Sequence, residues 1–385
     1  MNESVPPVAL AALNYRMGGQ LSSLMALADG LQAAGVGARV LLPDGVEDFS
    51  KESLIAFSRK PLLTRLNALR RMLAMQSGRQ DEILHLMLPT PGFAFVARLL
   101  GLRMERTVLQ WEGRPLALNR ESLSAFMSDP IFLLPRLILN HQCLHVIARR
   151  CNFHQLVTTQ GFAKWLERRG HQRVACIANW STLTRDDLDD PSGELSAFLS
   201  DPLPLIGYLG HAHPVKGVSD LLDAFGRAQA TRPELRLLLA LSADGNGESV
   251  LHRVQSFPAA TRARILIAGT VPVGRVLARL EALALPYRSI ISTTLIPSLL
   301  LEADAAECPV ILSDLPDYAD IVPRDGNGWH LVPPGNIDAL TEAMITLPAR
   351  HRPTPLKTSP PASRLEELMN LYRNVAKAAW PETHG

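Results

Sequence analysis

The chain has 385 residues, more than one hydrophobic core usually holds, so two domains are expected. Hydrophobic residues make up 47% and charged residues 20%, which excludes a disordered or fibrous chain. No apolar run reaches the length of a bilayer span, because Arg98, Arg103 and Arg136 interrupt the longest candidates. The N-terminus has no signal-peptide pattern and the four cysteines show no CxxC spacing, so we expect a cytosolic protein.

The net charge of +2 is unevenly distributed. Residues 1–180 contain 21 Lys and Arg against 13 Asp and Glu, whereas residues 181–385 contain 18 against 24. A basic first half and an acidic second half suggest different partners, and an anionic surface or acceptor fits the first half. We expect no nucleic-acid partner.

The first predicted elements form a βαβ unit. An apolar strand at Val8–Asn14 is followed by a loop containing Gly18 and Gly19, a helix that ends near Gly35, and a strand at Ala38–Leu42. Parallel strands joined this way bind ligands beyond their carboxyl ends, where Gly18 and Gly19 lie. These glycines allow close backbone approach to a ligand, although they do not complete a GxGxxG fingerprint.

Residues 58–80 predict a basic amphipathic helix. Five leucines share one face, and arginines lie beside and opposite it: Leu62, Leu63, Leu66, Leu69, Leu73, Arg65, Arg70 and Arg71. The pattern is typical of a helix in an anionic membrane interface, and the charge asymmetry favours that interpretation slightly. A helix packed on the core with a solvated arginine face is the alternative.

Strands at Ile83–Leu88 and Thr107–Gln110 end in loops that should face the same ligand. His85, Glu112 and Arg114 are therefore candidate site residues, although a lone strand histidine is more often a satisfied core residue. His141 and His145 have the i, i+4 spacing of metal ligands, but no carboxylate or cysteine completes a site, so no metal centre is predicted. Strands at Val157–Gln160 and Val174–Asn179 complete this half.

The second half repeats the alternation of strands and helices. Strands are predicted at Leu205–Leu209, Leu237–Leu241, Arg264–Ala268, Ile290–Ser292 and Trp329–Val332, with a helix at Val218–Ala230. The fold class is therefore α/β, with two Rossmann-like doubly wound domains facing across a cleft. The predicted domains are 1–183, a linker at 184–203, 204–350, and a tail at 351–385 whose helix crosses back onto the first domain.

Residues 286–310 predict a loop, a helix beginning at Ser298, and a buried strand opening at Cys308-Pro309. Ser298 can cap the helix, and the free amides at Ser298 and Leu299 suit an anionic ligand. Glu302, one turn further, could reach a sugar hydroxyl beside that ligand. The alternative is an ordinary loop–helix–strand connection with a surface glutamate.

Four segments of the second half resemble the retaining, nucleotide-sugar-dependent glycosyltransferases of the GT-B fold, a group that includes glycogen synthase and bacterial mannosyltransferases. They are GYLGHAHPVKGVSDLLDAF (207–225), AGTVP (268–272), SLLLEADAAECPVILSD (298–314) and DIVPRDGNGWHLVPPGNIDAL (320–340). The first half resembles the group more loosely, through MGG (17–19) and HLMLPTP (85–91).

The resemblance implies GT-B architecture and retaining hexosyl transfer from a UDP- or GDP-linked sugar to a glycan, lipid-linked or small-molecule acceptor. It assigns catalytic positions to Lys216, His211, His85 and Glu112. It assigns nucleotide-sugar binding to Gly18, Gly19, Gly210, Lys216, Thr270, Val271, Arg288, Ser298, Leu299 and Glu302. Lys216 would neutralise the diphosphate, Glu302 would bind the ribose hydroxyls, and Thr270 and Val271 would flank the base. For Arg288, a hydrogen-bonded loop role is the favoured alternative.

Charge on the leaving diphosphate would be met by Lys216 and a helix N-terminus, so no cofactor and no metal are expected. The protein would be cytoplasmic, with a peripheral contact at the inner face of an anionic membrane through residues 58–80.

Four residues depart from the family pattern: His211 replaces the usual Arg, Thr294 the first Glu of a Glu-x7-Glu pair, Met87 a sugar-contacting His, and Glu307 a Gly. The departures at Thr294 and Met87 leave two other functions open. One is a catalytically inactive GT-B protein that binds a nucleotide or a partner. The other is a sugar-nucleotide epimerase of the same architecture, which would need acid and base carboxylates near the sugar.

Overall fold

The structure is a computed structural model that describes residues 4–12, 19–44, 46, 57, 60–77, 79, 81–99, 101–115, 127, 134, 137–139, 144, 149–150, 153–179, 193–241, 247–290, 295–347 and 352–380. The chain divides into two compact units. The first contains residues 1–181, 293–298 and 358–385, and the second contains residues 182–292 and 299–357. No helix among the described residues is both long and apolar enough to span a bilayer.

The first unit is built on a parallel sheet. Its described strands are β1 (Val8–Ala12), β2 (Ala38–Val40), β3 (Ile83–Leu88), β4 (Thr107–Trp111), β5 (His154–Val157) and β6 (Val174–Cys176). They pair in the order β2-β1-β3-β4-β5-β6. Strands β1, β3, β4 and β5 are buried along their whole length, as expected for a parallel sheet covered on both faces. The α/β class predicted for this half is confirmed.

The helices described in this unit include α1 (Gly19–Ala33), α2 (Leu62–Ser77), α3 (Ala94–Leu99), α4 (Gln160–Glu167) and, from the C-terminal part of the chain, α12 (Pro361–Ala379). Helix α12 buries one face within the first unit, including Leu368, Tyr372 and Val375. The predicted return of the C-terminal helix to the first half of the chain is therefore confirmed.

Helix α2 corresponds to the amphipathic segment predicted at 58–80. Leu69 and Leu73 are buried, so the C-terminal part of the leucine face packs inside the protein. Leu63 is 75% exposed, and Arg70 and Arg71 are exposed. Arg71 Nε donates to a carboxylate oxygen of Asp44 at 2.8 Å. This distribution favours the core-packing alternative for the middle of the helix, where Ala68, Leu69, Met72 and Leu73 are buried.

The second unit is also a parallel sheet. Its described strands are β7 (Leu205–Gly210), β8 (Arg236–Leu241), β9 (Ile265–Ala268), β10 (Ala282–Leu285), β11 (Val310–Ser313) and β12 (Trp329–Val332), paired in the order β12-β11-β10-β7-β8-β9. The described helices are α5 (Glu194–Ser200), α6 (Val218–Ala228), α7 (Gly247–Gln255), α8 (Ala259–Arg262), α9 (Val273–Arg279), α10 (Ser298–Ala305) and α11 (Ile337–Thr346). The order of the strands changes direction between the neighbouring strands β7 and β10. The topological switch point of the sheet therefore lies at the carboxyl ends of these two strands.

Three local predictions differ from the structure. The strand expected at Val157–Gln160 is His154–Val157, and Gln160 is already the first residue of α4. The strand expected at Ile290–Ser292 is wrong: the strand is Ala282–Leu285, Ile290 lies in a bend, and residues 291–292 are outside the described residues. Pro286 ends the strand because it has no backbone N–H to donate to a ladder. The predicted linker at 184–203 contains helix α5, which belongs to the second unit.

Candidate functional site

The two loops that follow β7 and β10 pack directly against each other at the switch point. Arg288 N–H donates to the Val215 carbonyl at 2.8 Å. Gly217 has φ 71°, and a Cβ at this position would lie 1.9 Å from the Pro286 carbonyl oxygen. Only glycine fits there, both because of its positive φ and because another chain segment occupies the space. Lys216, which precedes Gly217, is therefore held against the loop that begins at Pro286.

Lys216 ends a short 3-10 helix, Pro214–Lys216, and its side chain is buried, with 8% of the residue exposed. Its Nζ lies 4.0 Å from the centroid of the Tyr287 ring. Burial lowers the pKa of Lys216 to about 7. Among the described residues no carboxylate forms an ion pair with Lys216, so its ammonium charge is available to an anionic ligand.

Glu302 lies in helix α10, one turn from its start, with 9% of the residue exposed. Burial, and then the negative charge of Glu302, raises the pKa of the Tyr287 hydroxyl well above its usual range. The Tyr287 ring therefore lies against the Lys216 ammonium, and its hydroxyl is within electrostatic reach of Glu302.

Helix α10 begins at Ser298 and continues through Leu299, so Ser298 is its first residue rather than the residue before it. Pro297 precedes the helix. At the other end, Glu307 has φ 52°; its N–H donates to the Asp304 carbonyl at 3.1 Å, and the Cys308 N–H donates to the Ala303 carbonyl at 2.8 Å. This pair of bonds is a Schellman motif, whose left-handed position usually holds glycine.

Arg288 is engaged by helix α6. Its Nε donates to one carboxylate oxygen of Asp220 at 2.7 Å, and its Nη2 donates to the other at 2.5 Å. Asp220 is buried, and the hydrogen bond to it raises the pKa of Arg288. A bidentate pair of this kind fixes the β10 loop onto α6, which fits the loop role favoured for Arg288 from the sequence.

The remaining predicted residues of the second unit occupy the ends of β7 and β9. Gly210 has φ 141°, and the carbonyl of His211 accepts a hydrogen bond from the Tyr208 hydroxyl at 2.6 Å. Thr270 is exposed and Val271 is buried, just beyond β9. Gly210 is the last residue of β7, and the other three residues follow the carboxyl ends of β7 and β9, the side of such sheets that binds ligands.

The predicted site residues of the first unit lie in a buried polar network. His85 is fully buried; its Nδ1 lies 2.6 Å from the Tyr372 hydroxyl and its Nε2 lies 2.9 Å from Gln110 Oε1. Gln110 Nε2 donates to Glu112 Oε1 at 2.6 Å and to Asn179 Oδ1 at 3.0 Å. Because the Gln110 amide nitrogen donates, its oxygen accepts, so His85 donates from Nε2 and accepts from Tyr372 at Nδ1.

Burial dominates the ionisation of both titratable groups in this network. It lowers the pKa of His85 to about 4, against the opposing hydrogen bond to Gln110. It raises the pKa of Glu112 to about 7, partly offset by hydrogen bonds from Gln110 and Asn179. Glu112 Oε2 is buried and has no hydrogen-bond partner among the described residues. The arrangement favours the satisfied core histidine weighed for His85.

Several predicted positions carry less information. Gly19 is the first residue of α1, and Met87 is buried on β3. Arg114 has its guanidinium 6.0 Å from the Phe162 ring. Four others lie outside the described residues: Gly18, His141, His145 and Thr294. In the part of the chain that the structure describes, no three His, Cys, Asp or Glu side chains cluster as metal ligands.

Sequence reasoning missed Tyr287 and Asp220. Tyr287 follows Pro286 directly after a strand of the second unit, and this position alone could have marked it as a site residue. The strand itself was placed eight residues too late, so its carboxyl end was not recognised. Asp220 is 68 residues from Arg288, and no local pattern links the two.

Comparisons with known proteins agree with the fold. Residues 203–349 match the family described as glycosyl transferases group 1. Over 175 residues the chain is 30% identical to a phosphatidyl-myo-inositol mannosyltransferase of Mycobacterium leprae, which covers 43% of this chain. The chain spans less than half of that relative, 45% of its length.

Two solved structures resemble nearly the whole chain. Sucrose-phosphate synthase from Thermosynechococcus elongatus has a TM-score of 0.65 and 16% identity, covering 97% of this chain and 94% of its own. Anabaena Alr3699/HepE in complex with UDP-glucose has a TM-score of 0.62 and 14% identity, covering 97% and 94%. At these identities the likeness shows the fold, and the predicted GT-B architecture is confirmed.

Proposed function

We propose that this chain, whose residues 203–349 match the glycosyl transferases group 1 family, transfers a sugar from a nucleoside-diphosphate sugar to an acceptor. The observation that carries the proposal is the position of Lys216 at the switch point of the second sheet. There a buried ammonium lies against the Tyr287 ring and makes no ion pair among the described residues. Glu302 lies on helix α10, whose first-turn amides at Ser298 and Leu299 have no acceptor within the helix.

The arrangement suits departure of a nucleoside diphosphate. As the glycosidic bond breaks, negative charge develops on the diphosphate, and a preoriented cation lowers the energy of that state without reorganisation. Lys216 would supply the cation, and the positive end of the α10 dipole would add to it. Glu302 would accept hydrogen bonds from ribose hydroxyls. UDP- and GDP-linked sugars are the proposed donors; Alr3699/HepE, a neighbour in fold, was solved with UDP-glucose.

Transfer would proceed with retention, with the acceptor hydroxyl attacking the face from which the diphosphate leaves. The diphosphate oxygen would assist deprotonation of that hydroxyl, so no bound metal enters the proposal. The acceptor would be a glycan or a lipid-linked sugar. The Mycobacterium leprae relative is a phosphatidyl-myo-inositol mannosyltransferase, which supports this class of acceptor.

A catalytically inactive nucleotide-binding protein is the second candidate. His85 is fully buried between Tyr372 and Gln110, and Met87 is buried at the position where many relatives carry a sugar-contacting histidine. His85 and Met87, both on β3, are therefore not exposed to a bound sugar. This candidate keeps the nucleotide contacts of Lys216 and Glu302 but gives no transfer.

Purified protein incubated with UDP-, GDP-, ADP- and dTDP-linked sugars, with and without a lipid extract, separates the two candidates. Acceptor-dependent release of nucleoside diphosphate is the expected result. Binding of a nucleotide sugar without release would support the inactive protein. Absence of both binding and release would contradict the proposed function.

A peripheral contact with anionic membrane lipid, in a cytoplasmic protein, is a separate part of the proposal. Leu63, in the first turn of α2, is an exposed large apolar residue, and Arg70 and Arg71 are exposed on the same helix. Vesicles containing phosphatidylglycerol should retain the protein at low salt. Leu63→Ser combined with Arg70→Gln should reduce retention, and equal retention would exclude this helix as the contact.

A further inference from the structure

The ammonium of Lys216 faces an aromatic ring, where a buried cation usually faces a carboxylate. Its Nζ is 4.0 Å from the Tyr287 ring centroid, inside the range of a cation–π interaction. Asp220, on the helix that follows the Lys216 loop, pairs with Arg288, the residue next to Tyr287. The exposed cation, Arg288, is therefore paired with a carboxylate, whereas the buried cation, Lys216, lies against an aromatic ring.

The ring is held in position from several sides. Tyr287 is 2% exposed, and Tyr208 and Tyr318 are close enough for its ionisation to affect theirs. On either side of it, the Pro286 carbonyl abuts Gly217, and Arg288 N–H donates to the Val215 carbonyl at 2.8 Å. The Tyr287 backbone is therefore fixed to the loop that carries its cation.

Resting on the proposed function, we propose that Tyr287 is a positioning residue for the donor diphosphate, whose π face holds the Lys216 ammonium and leaves its N–H donors to the ligand. A carboxylate in the same place would accept those N–H groups and cancel the charge. An aromatic face attracts the cation without accepting a conventional hydrogen bond. The ring therefore keeps a buried ammonium oriented and still able to bind an anion.

The same geometry makes nucleotide binding depend on pH. Burial lowers the pKa of Lys216 to about 7, and the ring's attraction favours the charged form. Among the described residues, the groups around this ring are Glu302 on α10, Tyr208 on β7, Tyr318 in the segment after β11, and the Arg288–Asp220 pair. His211 and His213 lie on the Lys216 loop itself. The tyrosines stay neutral across pH 6–9 because burial raises the pKa of each.

Binding of UDP and of GDP, measured by titration calorimetry between pH 6 and pH 9, tests the proposal. We expect Tyr287→Leu to weaken binding of the preferred diphosphate about tenfold at pH 7 and to move the loss of affinity to lower pH. Tyr287→Phe keeps the π face and should bind within about threefold of the wild type with an unchanged pH profile. Circular dichroism establishes that each variant is folded, and Tyr287→Met replaces the leucine variant where the latter does not fold.

The outcomes separate this inference from the proposed function. A wild-type protein that binds neither diphosphate contradicts the proposed function itself. If the wild type binds and Tyr287→Leu binds equally with the same pH profile, the positioning role is excluded while the proposed function stands. If Tyr287→Phe is as weak as Tyr287→Leu, the hydroxyl rather than the π face acts on the ligand, and the proposal is overturned.

Discussion

The Tyr372 hydroxyl lies 2.6 Å from Nδ1 of His85, although the two residues are 287 positions apart in the chain. This hydrogen bond joins the C-terminal helix α12 to strand β3 within the first unit. Both side chains are fully buried, so water cannot replace the hydrogen bond if either partner is removed.

Tyr372→Phe should lower the free energy of unfolding by about 1–2 kcal/mol, because it leaves a buried imidazole nitrogen without its donor. Urea denaturation followed by circular dichroism measures the change. Asn374→Ala, at an exposed position of the same helix, is the matched control and should change stability little. An equally stable Tyr372→Phe protein would show that the bond contributes nothing.

Glu112→Gln should stabilise the protein at pH 8 and not at pH 5. The pKa of Glu112 is raised to about 7 in the folded state from 4.5, so the folded protein binds the extra proton between these values and stability falls as pH rises through them. A neutral amide removes that loss, which amounts to roughly 3 kcal/mol at most. Denaturation at both pH values measures the difference; a gain of equal size at pH 5 would contradict the ionisation account.

Lys216→Met should make the protein more stable and unable to bind nucleotide. The pKa of Lys216 is lowered to about 7 in the folded state from 10.5, so burying its charge costs stability in full below pH 7, and the cost disappears as pH rises towards 10.5. The expected gain at pH 6 is at most about 5 kcal/mol. Thermal denaturation at pH 6 and pH 9.5 should show a smaller gain at the higher pH, and destabilisation at pH 6 would contradict this prediction.

Lys216→Ala should lower turnover more than Glu302→Ala, because the cation acts on charge that develops as the bond breaks, whereas the ribose contact is made equally before that step. Steady-state kinetics should show a fall in kcat for Lys216→Ala, by about a hundredfold. For Glu302→Ala the main effect should be a rise in KM. A Lys216→Ala enzyme with wild-type kcat would rule out the diphosphate role.

Glu307→Gly should raise the free energy of unfolding by about 1 kcal/mol, since φ 52° is strained for a residue with a Cβ. Glu307 also forms an exposed ion pair with Arg352 at 3.2 Å, whose loss costs little. Glu307→Ala is the matched control: it loses the ion pair and keeps the strain, so it should not stabilise. Equal stability of the two variants would mean that the strain has been relieved elsewhere.

Local patterns predicted the elements around Lys216 well. The apolar run at Leu205–Leu209, the loop ending in Gly217 and the periodic helix after it correspond to β7 and α6 within two residues. Each of these signals is carried by neighbouring residues, and a glycine with positive φ separates the two elements. Sequence was enough here because the structure is decided locally.

Long-range partners decided the features that the sequence did not predict. The environment of His85 depends on Tyr372 from helix α12, and the pairing of Arg288 depends on Asp220, 68 residues earlier. The short strand β10 was missed because four apolar residues give too little periodicity to separate a strand from a loop. For His85 and Arg288, the deciding partner is too far along the chain for local propensities to predict.

The segmentation of the first unit limits how the protein can be divided for experiments. Residues 293–298 and 358–385 belong to it, yet both follow most of the second unit in the chain. A recombinant fragment ending at residue 181 would lack α12, and with it the hydroxyl that His85 requires. Dissection therefore calls for circular permutation or co-expression of complementary pieces, and a gene truncated before residue 358 would encode a protein with an incomplete first core.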